Sequence, residues 1–265
     1  MAIKKPDTLE SLGFYTATSE HTTSLVLSVS GLEKAGKTHM AMTMPGPIAY
    51  INTDIGLRGV IEKFADQKDI HVLPVTVYHD GDAAVKEWDR FMNAMKYLVL
   101  DSGIRSIVLD TATELWELKR IAAFGKLTQV QPWHYGPVNA DFRGLFRMFY
   151  DDKDCPVKNL IALHKMKAVY LNDKRTSDYE RSGFSDMGYL AQASIRLYRD
   201  RPWVDADDVE HKGNFHAYIE SCRHNPLLVG EDLETDMDVD DPVNMCSFSM
   251  LASLIVDGTF EEDWA

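Results

Sequence analysis

The segment that most limits what this chain can fold into is Gly31-Leu-Glu-Lys-Ala-Gly-Lys-Thr38. It satisfies G-x-x-x-x-G-K-[ST] at every position. It follows Leu25-Val-Leu-Ser-Val29, a short apolar, β-branched run of the kind that forms a buried strand. Residues Thr38 to Met44 then read as a helix stopped by Pro45, with Met40, Ala41 and Met44 apolar. In that context glycines let backbone N–H groups close around an anion, and the helix start adds unsatisfied N–H groups and a positive dipole end. The pattern predicts a nucleoside triphosphate site made by Gly31, Glu33, Lys34, Ala35, Gly36, Lys37, Thr38 and His39. Lys37 would reach the β- and γ-phosphates and the Thr38 hydroxyl would ligate Mg2+. A plain glycine turn between strand and helix is the alternative that this context disfavours.

Such a site needs a second acidic element for the metal. Ser106-Ile-Val-Leu-Asp110 reads as a strand with Asp110 at its carboxyl end, where ligands of open α/β sheets bind. The alternative is an acid that only caps the next helix. A carboxylate must also orient and activate a water. Asp54, just after the strand Ile48 to Ile51, is the candidate, and Glu114 is its rival.

Further strands are expected at Ile70 to Val75, Asn159 to Leu163, Ser194 to Tyr198 and Phe215 to Ser221, the last two as antiparallel additions. Helices are expected over Asp82 to Leu100, Ala112 to Phe124 and Ala140 to Tyr150, with a loop from Thr128 to Val138. Strands alternating with helices predict an α/β fold: a mostly parallel central sheet flanked by helices. The expected organisation is an N-terminal arm (1–24), one core domain (25–229) and an acidic C-terminal segment (230–265). The last five residues, Glu261 to Ala265, read as a solvated tail; competition for a basic groove or docking on a partner is the other reading.

A formal net charge of -13 excludes a general nucleic-acid coat, so any such binding must use a local basic surface. Cys155, Cys222 and Cys246 show no CxxC spacing and indicate neither a zinc site nor a disulfide framework. The histidines His71, His79, His211, His216 and His224 show no ligand spacing. No apolar run is long enough for a bilayer, and the expected location is the cytoplasm.

Several segments in order resemble RecA-type recombinases. Ile48-Ala-Tyr-Ile-Asn-Thr-Asp-Ile-Gly56 is similar to the strand leading to that family's catalytic glutamate, with Asp54 at the position. Ser106-Ile-Val-Leu-Asp-Thr-Ala-Thr-Glu-Leu115 resembles its Walker B segment. Leu160-Ile-Ala-Leu-His-Lys-Met-Lys167 resembles the fifth core strand, ending in the γ-phosphate sensor, with His164 in place of the usual glutamine. Ala193-Ser-Ile-Arg-Leu197 resembles the strand after the second DNA-binding loop. Phe215 to Pro226 resembles the next strand, where a basic residue before a proline acts on the neighbouring subunit's ATP; here that residue is Arg223. The likeness runs from Leu25 to Pro226 and is closest to the short, core-only RecA-like ATPases of bacteriophages, some of which assist single-strand annealing and recombination.

The resemblance implies ATP and Mg2+ as ligands, and an ATPase that assembles head to tail on single-stranded DNA. A single-strand-binding protein is a further partner to consider. DNA would lie against Gln129 to Asn139 and Lys165 to Asp186, through Trp133, Tyr135, Lys165, Lys167, Lys174, Arg175 and Arg181. Cations would meet phosphates and rings would stack bases. Asp173, Asp178, Glu180 and Asp186 offset that charge, so a plain surface loop stays open as a reading. Two other classes remain: a P-loop small-molecule kinase, and a nucleotide-switched partner ATPase such as a helicase loader or packaging factor.

Overall fold

A computed structural model describes residues 8–12, 14, 16, 24–125, 130–151, 155, 159–206 and 208–264. Most of the expected N-terminal arm lies outside the described residues, as does 129 of the first expected DNA segment.

Among the described residues, twelve strands and six α-helices follow in chain order: β1 (Leu25–Gly31), α1 (Lys37–Met42), β2 (Ile48–Asn52), β3 (Ile70–Pro74), α2 (Gly81–Leu100), β4 (Ser106–Asp110), α3 (Ala112–Phe124), α4 (Tyr135–Asp151), β5 (Asn159–His164), β6 (Met166–Leu171), β7 (Lys174–Arg181), α5 (Met187–Leu190), β8 (Ala193–Arg199), β9 (Trp203–Val204), β10 (Glu210–His211), β11 (Phe215–Cys222), β12 (Asp232–Thr235) and α6 (Phe248–Ile255). The main sheet has eight strands in the order β12-β11-β8-β1-β5-β4-β2-β3. From β8 to β3 every pairing is parallel, and β11 and β12 add to one edge antiparallel. This is the architecture that the resemblance implied.

Strand β5 lies between the strand that leads into the glycine loop and the strand that ends in Asp110. In register, Ser30 faces His164 and Leu163 faces Asp110. The loop, Asp110 and the residues after β5 therefore share one edge of the sheet.

Odd-numbered residues of β1, such as Leu27 and Val29, pack with α1 and α6. Val26 and the β5 residues Leu160 and Ala162 face α2, α3 and α4 instead. Period-two alternation thus assigns each strand residue to one of two apolar layers.

Four expectations change. The strand at Ser194 to Tyr198 is parallel to β1, not an antiparallel addition. Helix α4 starts at Tyr135, inside the expected loop, because Pro137 falls in its first turn, where a missing N–H breaks no helical bond. The expected loop from Lys165 to Asp186 contains a β-hairpin, β6–β7, turned by Asn172 and Asp173 with positive φ at both. The expected acidic segment 230–265 supplies β12 to the sheet and α6 to the core, and Trp264 is buried within the same apolar cluster. No helix among the described residues is long and apolar enough to cross a membrane.

Candidate active site

The glycine loop connects β1 to α1. Gly36 adopts φ 89° and caps α1 without any side-chain hydrogen bond, so no side chain satisfies the first-turn N–H groups. Both motif glycines are sterically required. A Cβ on Gly31 would lie 2.6 Å from the Leu197 carbonyl oxygen, and Gly36 holds a left-handed backbone that residues with a side chain rarely adopt. The Lys37 ammonium donates to the carbonyls of Gly31 and Leu32, each at 2.8 Å, and so lies across the loop it would share with a phosphate. Burial lowers its pKa, with Asp110 and Asp54 acting in the opposite direction. Ala35 is buried, Glu33 and Lys34 are exposed, and His39 sets its ring edge-on to Phe64 at 5.0 Å.

Asp110 is 4% exposed. Its Oδ2 accepts from the Thr38 hydroxyl at 3.1 Å and from the buried Tyr50 hydroxyl. Burial raises the Asp110 pKa, and the two hydroxyl donors oppose it. Burial and the adjacent carboxylate also push the Tyr50 phenol up, so it stays a donor. Two hard oxygen ligands side by side, one a buried carboxylate lacking a bound basic side chain, fit Mg2+. Among the described residues no cluster of three or more His, Cys, Asp or Glu side chains could hold a metal by itself. Tyr50 was not expected from the sequence; its signal is a phenol in an otherwise apolar strand, since a buried tyrosine hydroxyl needs a partner.

Asp54 and Glu114 converge on one cation. Lys165 Nζ lies 2.7 Å from Glu114 Oε1 and 3.7 Å from Asp54 Oδ2. The other Asp54 oxygen accepts from the Ile55 N–H at 2.7 Å. Thr53 and Thr111 fasten the ends of β2 and β4: the Thr53 hydroxyl donates to the Asp110 carbonyl and accepts from the Thr111 N–H.

His164 is 0% exposed, and neither ring nitrogen has a hydrogen bond of ordinary geometry. Burial, helped by the nearby Arg181 charge, lowers its pKa from 6.5 to about 3. The unfolded chain therefore takes up this proton first as pH falls. Stability from the neutral ring is full above pH 6.5 and is lost progressively as pH drops toward 3. Between pH 7 and pH 5, His164→Leu is expected to lose about 2 kcal/mol less stability than the parent, as read by urea unfolding.

Arg223 lies at the far end of the sheet. Strand β11 runs antiparallel, so Phe215 pairs with Arg199 beside the glycine loop and Cys222 pairs with Ala193 at the opposite edge. The Arg223 N–H donates to the Gln192 carbonyl there, and its guanidinium donates to the Tyr189 carbonyl. The seven residues of β8 set the two edges roughly 20 Å apart.

The expected DNA residues divide. Trp133 is 72% exposed, whereas Tyr135 packs on Trp116 and Phe124. Lys167 pairs with Glu180 across the hairpin at 3.1 Å, Lys174 is exposed, and Arg175 donates to the Tyr179 hydroxyl. Arg181 turns inward, donating to Ser28 Oγ at 3.1 Å and to the Ser185 carbonyl. Lys165 is held by the two carboxylates. The outward cations Lys167, Lys174 and Arg175 are thus balanced by Asp173, Asp178 and Glu180.

No family model matches this chain, and no curated protein matches it. Among solved structures, the crystal structure of the RadB recombinase is similar over 80% of this chain and 87% of that chain, with 16% identity and a TM-score of 0.48. At that distance, shared fold and shared activity are separate questions.

Proposed function

We propose that this chain is a Mg2+-dependent ATPase of RecA-like build that binds single-stranded DNA, assembles head to tail and serves recombination or annealing. The observation that carries the ATPase reading is the meeting of Lys37, Thr38 and Asp110 with Asp54 and Glu114 at one sheet edge. The P-loop N–H groups and Lys37 bind the phosphates. Thr38 and Asp110 would hold Mg2+, which when bound would neutralise phosphate charge. Asp54 accepts a proton from water as the water oxygen bonds to the γ-phosphorus. The bond from that phosphorus to the bridging oxygen breaks, its electron pair leaves with ADP, and the proton passes to the released phosphate. His164, next to Ser30 in register, is the proposed γ-phosphate sensor and would act through the end of β5.

Head-to-tail assembly is supported by the separation of Arg223 from the P-loop of its own chain. A side chain at the opposite edge can stabilise a transferring phosphate only in trans, where such an arginine is worth about 10³-fold or more. Exposed Trp133, Lys174 and Arg175 are the proposed DNA contacts. The balanced charge of the hairpin favours, as a second reading, an ATPase switched by a protein partner.

The deciding experiment is ATP hydrolysis with and without single-stranded DNA, beside Lys37→Ala. Hydrolysis is expected to fall at least about 10²-fold in the variant. Stimulation by DNA supports the recombinase-like reading. A parent rate indifferent to DNA moves the assignment to the partner-switched ATPase, and stimulation by a metabolite moves it to a kinase.

A further inference from the structure

Lys165 stands at the same sheet edge as the P-loop and Asp110. It is the first residue past β5, the strand flanked by the P-loop strand and the Asp110 strand. Its backbone is fixed on both sides: its N–H donates to the Thr113 hydroxyl at 3.0 Å, and its carbonyl accepts from Ser182 at 2.8 Å. Its head is not fixed in the same way. The side chain remains 43% exposed and reaches across to two carboxylates from different elements, Asp54 just past β2 and Glu114 in the first turn of α3. Asp110 and Lys37 both feel its charge, so the ammonium lies within electrostatic reach of the proposed phosphate and metal groups.

Neither of the obvious roles fits this geometry. As a DNA contact, Lys165 would have to give up its 2.7 Å pairing with Glu114 for a backbone phosphate. As a purely structural ion pair it would be poorly made, because a partly exposed lysine bridge contributes little to stability. A triphosphate seated by Lys37 and Thr38 is a different competitor. It brings several negative charges to the same edge, beside the carboxylates that Lys165 now neutralises.

We propose that Lys165 is a catalytic cation: without nucleotide it holds Asp54 and Glu114, and with ATP bound it exchanges them for a γ-phosphate oxygen. The exchange does two things at once. It adds positive charge where charge develops during transfer, and it frees Asp54 to accept the proton from water. No bond forms or breaks at Lys165 itself; it stays an ammonium throughout. The same exchange couples nucleotide state to the hairpin, since β6 begins at the next residue and β7 is tied back to the Lys165 carbonyl through Ser182. This inference rests on the ATPase reading above.

The test uses the full chain with Lys165→Met and Lys165→Arg. Hydrolysis in Lys165→Met is expected to fall about 10²-fold, while affinity for ADP, which lacks the γ-phosphate, stays within about threefold of the parent. A second readout is binding by calorimetry: the parent should bind ADP with beryllium fluoride, a γ-phosphate mimic, more tightly than ADP alone. Lys165→Met should lose that preference and Lys165→Arg should regain part of it. Single-stranded DNA affinity should stay unchanged. An unchanged hydrolysis rate or an unchanged preference for the mimic overturns the proposal, as does weakened DNA binding with DNA-independent hydrolysis intact. The parent and Lys37→Ala arms separate the two levels. A parent that hydrolyses ATP while Lys165→Met equals it sinks this inference alone, whereas a parent no better than Lys37→Ala sinks the ATPase reading and this inference with it.

Discussion

Trp264→Ala is expected to destabilise the fold by about 3–5 kcal/mol, the range for truncating a large buried aromatic. The residue is 1% exposed although it stands next to the end of the chain. Its ring meets Phe248 at a 78° interplanar angle with centroids 6.0 Å apart, and its indole N–H donates to the Thr259 hydroxyl at 3.0 Å. Glu261, Glu262 and Asp263 form with it a short 3-10 turn in which the Asp263 carboxylate accepts from the Phe260 N–H. The acids face water while the indole is driven into the layer that holds Met42, Met44, Leu251 and Ile255. That layer includes the helix after the P-loop, and the Phe248 N–H donates to Thr43 at the end of α1. The loss should therefore appear both in urea unfolding and as weaker nucleotide binding at temperatures where the variant frays. A loose tail predicts a change within about 0.5 kcal/mol, as for ordinary surface substitutions. A result that small would mean that Trp264 does not occupy this layer in solution.

Why the tail misled a sequence reading is physical. Acid density from Gly230 to Asp241 and at the last residues signals solvent exposure, and it does so correctly for the acids themselves. It hides the apolar residues spaced between them, such as Leu233 and Trp264, whose burial depends on a surface built by α1 and β11. The helix Phe248 to Ile255 was not among the expected elements, because only tertiary packing reveals what its apolar residues cover. The opposite holds for the P-loop, β4 and α3. There the local signals agree with one another: a buried β-branched strand, a glycine loop, then Thr111, whose hydroxyl caps α3 by accepting from the Glu114 N–H. The hairpin after β5 carried a usable signal that its charge obscured: Asn172-Asp173 between Leu171 and Lys174 is a two-residue turn with strand residues on both sides. Within the candidate site, the sequence could suggest the motif residues because phosphate chemistry dictates that pattern. Tyr50 and the Lys165 bridge were not, because each depends on strands brought together by the sheet order rather than by sequence spacing.

Asp110→Asn should separate function from stability. Hydrolysis is expected to fall roughly 10²–10³-fold, the scale for removing one preorganised electrostatic element from an active site. Folding stability at neutral pH is expected to rise by about 0.5–2 kcal/mol. The sign follows from burial. The folded-state pKa of Asp110 lies above its unfolded value, so near neutral pH the ionised carboxylate is harder to bury than the neutral group. An asparagine keeps the shape and an acceptor oxygen for the Tyr50 and Thr38 hydroxyls, while removing the charge that burial penalises. On the proposed function, the cost of burying that charge would be offset on binding Mg2+ and phosphate, the trade-off expected where a site is built for an ion rather than for the empty fold. Urea unfolding and steady-state hydrolysis on the same preparation read both quantities. A variant that loses hydrolysis and also loses stability would mean that the two hydroxyl donors outweigh desolvation. A variant that keeps hydrolysis would remove Asp110 from the metal site and leave Asp54 and Glu114 as the carboxylates to examine there.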